Sequence, residues 1–156
     1  MPFDIHARTP QARKARAMLR ALIDIAQDSD ATYDFFVSKM IWGVSLYLES
    51  GDYKENWKSR VRASDAALKL REERPDWKKH VTFEHSRTLY DTFNMLRNNG
   101  NPISMDEATN VISEYPPVLI TKEENQRIAD LGFKKSGAPE VRYKEVRITT
   151  FELRAI

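Results

Sequence analysis

Between residues 33 and 47, the side chains of Tyr33, Phe36, Val37, Met40, Ile41, Val44 and Tyr47 recur three or four positions apart. That spacing places them on one face of an α-helix. An apolar stripe of this length has to be covered, because leaving it in water forfeits about 25 cal/mol for every Å² exposed. The chain must therefore fold around this helix. Asp28-Ser29-Asp30 offers caps at its start, and Gly51 is the expected C-terminal cap.

The neighbouring sequence supplies the cover. Thr9-Pro10 is a good helix opening, a capping hydroxyl followed by a residue with no N–H to lose. Ala15, Met18, Leu19, Leu22, Ile25 and Ala26 then lie on one face, with Arg13, Arg16 and Arg20 as a stripe beside them. A third helix is expected from about Tyr53 to Arg74. Tyr53, Trp57, Val61 and Leu68 mark its inner side and Lys54, Lys58, Arg62 and Lys69 its basic flank. Pro75 stops it, since a residue before proline is pushed out of helical geometry.

From residue 80 the rhythm changes. Val81 and Phe83 alternate with Thr82, which predicts a short strand ending at Glu84-His85. A helix should follow, with Leu89, Phe93 and Leu96 inward, ending at Asn98-Asn99-Gly100. Ser104-Met-Asp-Glu107 and Thr121-Lys-Glu-Glu124 are capping boxes, each opening a helix. Val118-Leu-Ile120, behind Pro116-Pro117, is an apolar strand. Residues 134–139 are expected to be a loop, and Val146–Leu153 a last strand. The expected fold is α+β and predominantly helical, with N-terminal helices (residues 1–79) packed on a small C-terminal strand/helix module (residues 80–156) as one folding unit.

Composition removes several functions. Among 156 residues there is no Cys, so disulfides, thiolate catalysis and Cys-based zinc modules are excluded. With 5 Gly and no Gly-rich phosphate loop, a dinucleotide-binding fold is not expected. No apolar run reaches the ~20 residues of a membrane span, and no secretory h-region opens the chain. A cytoplasmic protein without membrane attachment is the expectation. A net charge of +2 does not by itself point to nucleic acid.

The most pointed chemistry is Glu84-His85 at a strand end, set against Thr121–Asn125 at a strand-to-helix junction. A histidine leaving a strand can activate water when its second nitrogen is held. Oxygen ligands on the first turn of a nearby helix can hold a divalent ion. The bland reading is that Glu123 and Glu124 favour the helix N-terminus and that His85 hydrogen-bonds at the sheet edge. His80, flanked by Lys78 and Lys79, and His6 carry weaker signals.

The stretches Val81-Thr-Phe-Glu-His85, Val118-Leu-Ile-Thr-Lys-Glu-Glu-Asn125, Leu131-Gly-Phe-Lys-Lys135 and Val141-Arg-Tyr143 resemble small bacterial and phage proteins similar to degenerate HNH endonucleases. The resemblance covers about residues 80–148. It implies His85 as general base, with Glu84, Glu124 and Asn125 as metal-binding or orienting groups for one divalent ion, Mg or Mn. No histidine follows His85, so the second histidine of that family is missing.

Basic residues cluster in three places: Arg8 to Arg20, with no acidic residue among them; residues 54–79; and Lys134, Lys135, Arg142, Lys144 and Arg147. Arg13, Arg16, Arg20, Lys58, Arg62, Lys134, Lys135 and Arg142 are the candidate phosphate contacts. Trp77, between charges, is the candidate stacking residue, and Trp57 belongs to the core. Two functions follow as expectations. One is a nucleic-acid-associated protein with an HNH-like phosphodiesterase module, active or inactive. The alternative is a non-catalytic phage or mobile-element protein that binds and inhibits a host nucleoprotein complex.

Overall fold

A computed structural model describes residues 4–50, 62–85, 87–133, 139–145, 147–148 and 150–151. It is a predominantly helical α+β protein. The helices are α1 (Pro10–Gln27), α2 (Phe35–Ser50), α3 (Asp65–Glu73), α4 (Leu89–Arg97), α5 (Met105–Glu114), α6 (Lys122–Asp130) and α7 (Pro139–Glu145). The strands are β1 (Arg62–Ser64), β2 (Val81–His85), β3 (Pro117–Thr121) and β4 (Thr150–Phe151). They form one sheet in the order β2-β3-β1-β4. No helix among the described residues is long and apolar enough to cross a membrane.

The compact units are not the sequence halves. One is built from residues 1–53 and 89–116, the other from 54–88 and 117–156. The expected boundary at 79/80 is replaced by an interleaved one, because β1 finds its partners in β3 and β4 far along the chain, while α4 and α5 cover α1 and α2.

The helical unit holds α1, α2, α4 and α5. Thr9 caps α1 by accepting the Ala12 N–H (3.2 Å). Leu19, Leu22 and Ala26 meet Val37, Ile41, Val44, Phe93, Leu96 and Ile112 in one apolar cluster. The cap of α2 is Asp34, which accepts the Val37 N–H at 2.9 Å. Asp28 instead turns its carboxylate to the Asp30 N–H. Gly51 lies outside the described residues. Phe36, expected inside, is 75% exposed, and Phe35 66%. The core face of α2 begins at Val37, one residue after Phe36, the first residue of the predicted stripe that lies on the helix. Arg97 ties α4 to the end of α1. Its Nε donates to Ala26 O (2.9 Å) and a terminal nitrogen to Ala31 O, with its guanidinium 4.6 Å from the Phe93 ring centre.

The sheet unit departs most from expectation. Residues 62–64, assigned above to a long helix, are a strand: Arg62 pairs with Val118 and Ala63 with Leu119, in parallel. Ser64 then opens a separate helix by accepting the Ala67 N–H at 3.1 Å. A helix through this point would have left β3 and β4 without a strand between them. Tyr53, Lys54, Trp57, Lys58 and Val61 lie outside the described residues. The stop before Pro75 stands, with Arg74 extended as the C-cap. Both capping boxes are present as read.

Side chains alternate across the sheet. One face carries Ala63, Val81, Phe83 and Leu119 with Ala67 and Trp77. Trp77 is thus core, not a stacking platform. The other face carries Val118 and Ile120 with Ile128, Phe133, Tyr143 and Ile148. Helix α6 ends in a Schellman turn: the Phe133 N–H donates to Ile128 O (3.0 Å) and the Gly132 N–H to Ala129 O (3.1 Å). Gly132 takes φ +76°, a left-handed conformation that costs glycine little. Helix α7 was not among the expected helices, although Pro139 stands at its first position as Pro10 does in α1.

Candidate functional site

The register of β2 on β3 decides the geometry around His85. The two strands are antiparallel, with Val81 opposite Thr121, Glu84 opposite Val118 and His85 opposite Pro117. This pairing keeps the two motifs apart. A strand ending at His85 and a strand ending at Thr121 then finish at opposite ends of the ladder. At a rise of about 3.3 Å per residue, the four steps from Pro117 to Thr121 separate His85 from the Thr121–Asn125 turn by roughly 13 Å. No single water spans that distance. Alternation also puts His85 and Glu84 on opposite faces of the sheet. The HNH-like grouping of His85 with Glu124 and Asn125 is therefore not assembled.

Each candidate is placed by its own contacts. His85 is buried. Burial first, then the charges of Arg142 and Arg87, pushes its imidazole down to about 4, so the ring is neutral near pH 7. Glu84 points to the face carrying Val118 and Tyr143, and both its oxygens are used. Arg142 Nη2 donates to Oε1 at 2.6 Å and Tyr143 Oη to Oε2 at 2.9 Å. Burial raises the Glu84 carboxyl above its usual range despite the guanidinium, and pushes the Tyr143 phenol up as well. Glu124 Oε2 accepts the Ser64 hydroxyl (2.6 Å) and the Thr121 N–H (2.8 Å). Asn125 is half-buried on α6. No group of three or more His, Asp or Glu side chains that could hold a metal ion occurs among the described residues.

Arg142 requires the plainest correction. Expected on the surface against phosphate, it is 1% exposed. Its three nitrogens are all donors within the fold: Nε to Phe133 O (2.9 Å), Nη1 to His85 O (2.7 Å) and Nη2 to Glu84. The Schellman turn presents the Phe133 carbonyl and β2 presents the other two acceptors. A buried guanidinium needs such a set, because an uncompensated charge is costly away from water. Arg16 is also engaged, donating to Ile5 O (2.7 Å) and Ala7 O (2.9 Å). Arg62 is half-buried in β1, not on a helix flank. Arg13, Lys14 and Arg20 are exposed on α1, and Arg8 is exposed just before it. Lys58, Lys134 and Lys135 lie outside the described residues. His6 bonds Asp106 at 2.5 Å, and His80 bonds Asp76 at 3.1 Å.

The surface that sequence reasoning missed is aromatic. Phe35 and Phe36 stand side by side at the start of α2 with ring centres 5.8 Å apart, edge to face. The ammonium of Lys39 lies 5.3 Å from the Phe35 ring centre and 5.7 Å from that of Trp42. Tyr33 meets Tyr90, itself exposed, at 5.4 Å. The available signal was the phase of α2. With Asp34 as cap, Val37, Ile41, Val44 and Leu48 complete an inward face without either phenylalanine. No protein-family model, curated protein or solved structure matches the chain.

Proposed function

We propose that this protein is a non-catalytic binding protein whose partner is another protein. The observation that carries the reading is the exposed Phe35–Phe36 pair. Two adjacent phenylalanines in water forgo apolar burial of about 2 kcal/mol each, a cost that a partner surface would recover. Aromatic side chains supply large contact area with few rotatable bonds, which is why they anchor protein interfaces. An inhibitor of a nucleoprotein complex, the phage or mobile-element role expected above, would use a surface of this kind.

A photo-crosslinking amino acid at position 36 tests it. The expected result is a covalent adduct with one protein species in cells of the source organism, lost when Phe35 is changed to Ser.

A second reading has its own observation. Arg8, Arg13, Lys14 and Arg20 are exposed on or beside α1 with no acidic residue between them in sequence. A nucleic-acid-associated protein would bind phosphate through this face. Its binding to duplex DNA would then fall with salt, with a log–log slope of about −0.9 per phosphate contact, and Arg13→Ala would reduce the slope by about one contact. Crosslinks to nucleic acid from position 13, with none to protein from position 36, would favour this second reading.

A further inference from the structure

Residues 4–8 run ahead of α1 and are held to the helical unit by three contacts. Ile5, 5% exposed, is the one buried side chain among them and joins the apolar cluster of that unit. Arg16, on α1, reaches back and donates through Nη1 to Ile5 O (2.7 Å) and Ala7 O (2.9 Å). His6 Nε2 bonds Asp106 Oδ1 at 2.5 Å, in the first turn of α5. The segment itself is a tight turn: the Ala7 N–H donates to Asp4 O (3.2 Å) and the His6 N–H to Asp4 Oδ1 (3.0 Å). One apolar anchor, one guanidinium clasp and one exposed pair make a small attachment. Segments tied by few buried contacts open at a fraction of the global unfolding free energy.

The clasp also removes a cation from the surface. Arg13, Arg16 and Arg20 lie three and four positions apart, so they share one side of α1. Arg13 and Arg20 are exposed and make no hydrogen bond or ion pair among the described residues. Arg16 is half-buried. Its Nη1 spends two hydrogens on the two carbonyls and has none for a phosphate. The end-on grip of both terminal nitrogens, the geometry that suits arginine to phosphate, is therefore denied while the segment is in place.

We propose that residues 4–8 form an autoinhibitory strap. Closed, it withholds Arg16 from the basic face of α1; a phosphate backbone lying along Arg13 and Arg20 competes for Arg16 and opens it. The inference rests on the second reading above, phosphate on the α1 face, and uses none of the Phe35–Phe36 surface. By linkage, the polyanion loosens the strap by the same factor as an open strap tightens the polyanion.

The test uses the full chain and a labelled DNA duplex, with binding followed by fluorescence anisotropy over a salt series and the strap by hydrogen exchange of residues 5–8. Ile5→Ser removes the anchor. It should tighten binding roughly three- to tenfold and steepen the log–log salt slope by about 0.9, the mark of one further phosphate contact. Adding Arg16→Gln should cancel that gain. His6→Ala leaves the apolar cluster untouched and keeps the question open to measurement if Ile5→Ser fails to fold. It should move affinity in the same direction by about twofold, as an exposed pair holds little. In the unaltered chain, saturating DNA should speed exchange in residues 5–8. Affinity and slope unchanged by both strap variants, a gain that survives Arg16→Gln, or strap exchange that DNA slows or leaves as it was would each overturn the strap and leave the α1 reading standing. No binding of DNA by the unaltered chain or any variant at about 50 mM salt would end both.

Discussion

The two units of this chain solve the same problem with different materials. The helical unit buries one continuous apolar cluster, and its strongest polar tie, Arg97, sits at the rim. The sheet unit has two smaller apolar clusters, one on each face of a short sheet. Between and beside them it buries His85, Glu124, Arg142 and Ser64, with Glu84 half-buried against Arg142. A core of side chains that attract only by burial tolerates small misplacement. A core with a guanidinium on three acceptors does not, because every unpaired charge there costs several kcal/mol. The difference teaches where each unit is vulnerable: to cavities in the first, to loss of a partner and to pH in the second.

The largest effect expected is at Arg142. Arg142→Ala strands the Glu84 carboxylate and two carbonyls, and should cost about 3–5 kcal/mol in urea unfolding. Adding Glu84→Gln should return part of that loss, since the stranded charge is then gone. In the helical unit Leu96→Ala should cost about 3 kcal/mol from the cavity alone, with no partner able to restore it. An Arg142→Ala loss below about 1 kcal/mol would erase the contrast between the units.

Acid should distinguish them next. His85 is held neutral with its imidazole down at about 4, against 6.5 in the unfolded chain. The unfolded chain therefore binds a proton that the folded one refuses. The His85 contribution is complete above about pH 6.5 and drains away as pH falls toward 4, by about 3 kcal/mol at ~1.36 kcal/mol per unit. Glu84 acts with the opposite sign. Its carboxyl is raised, so the folded form takes up a proton more readily and this contribution grows as pH falls through the folded value. His85→Gln should remove the stability loss between pH 6.5 and 4 in a denaturation series. A wild-type protein equally stable across that interval would mean that His85 is not sealed from protons.

The two capping boxes give a matched pair of smaller effects. They share one local pattern, yet the Thr121 box is joined to the buried Ser64 hydroxyl and the Ser104 box faces water. Ser64→Ala removes a donor to Glu124 and the cap of α3, and should cost about 2 kcal/mol. Ser104→Ala should cost about 1 kcal/mol. Equal thermal shifts for the two would show that burial adds nothing to the motif. The smallest effect is at Phe36. Phe36→Ser should change unfolding stability by less than about 0.5 kcal/mol, because the ring leaves no cavity behind it. A large loss would return this ring to the core.

Much of the helical unit was legible because its code is local. Thr9-Pro10, the stripe of Leu19, Leu22 and Ala26, and Ser104 with Glu107 each act within a few residues, and the structure uses them as read. The apolar strands β2 and β3 and the Thr121 box were legible for the same reason. The candidate site was legible only as residue types. Glu84 and His85 were correctly placed at a strand end. Neighbours on one strand point to opposite faces, however, and an antiparallel partner carries its own end away.

What the sequence alone determined, then, is helices α1, α2, α4, α5 and α6 and the two apolar strands, since caps, prolines and apolar spacing act between residues close in the chain. Tertiary structure decided the rest. It made a strand of Arg62–Ser64, whose three residues are too few to signal one until β3 and β4 offer hydrogen bonds. It turned Arg142 from an expected surface cation into the buried tie between Phe133, β2 and α7. It also left Phe35 and Phe36 in water, because the phase at which α2 meets α1 and α4 is set by the packing of all three helices and not by the stripe on one of them.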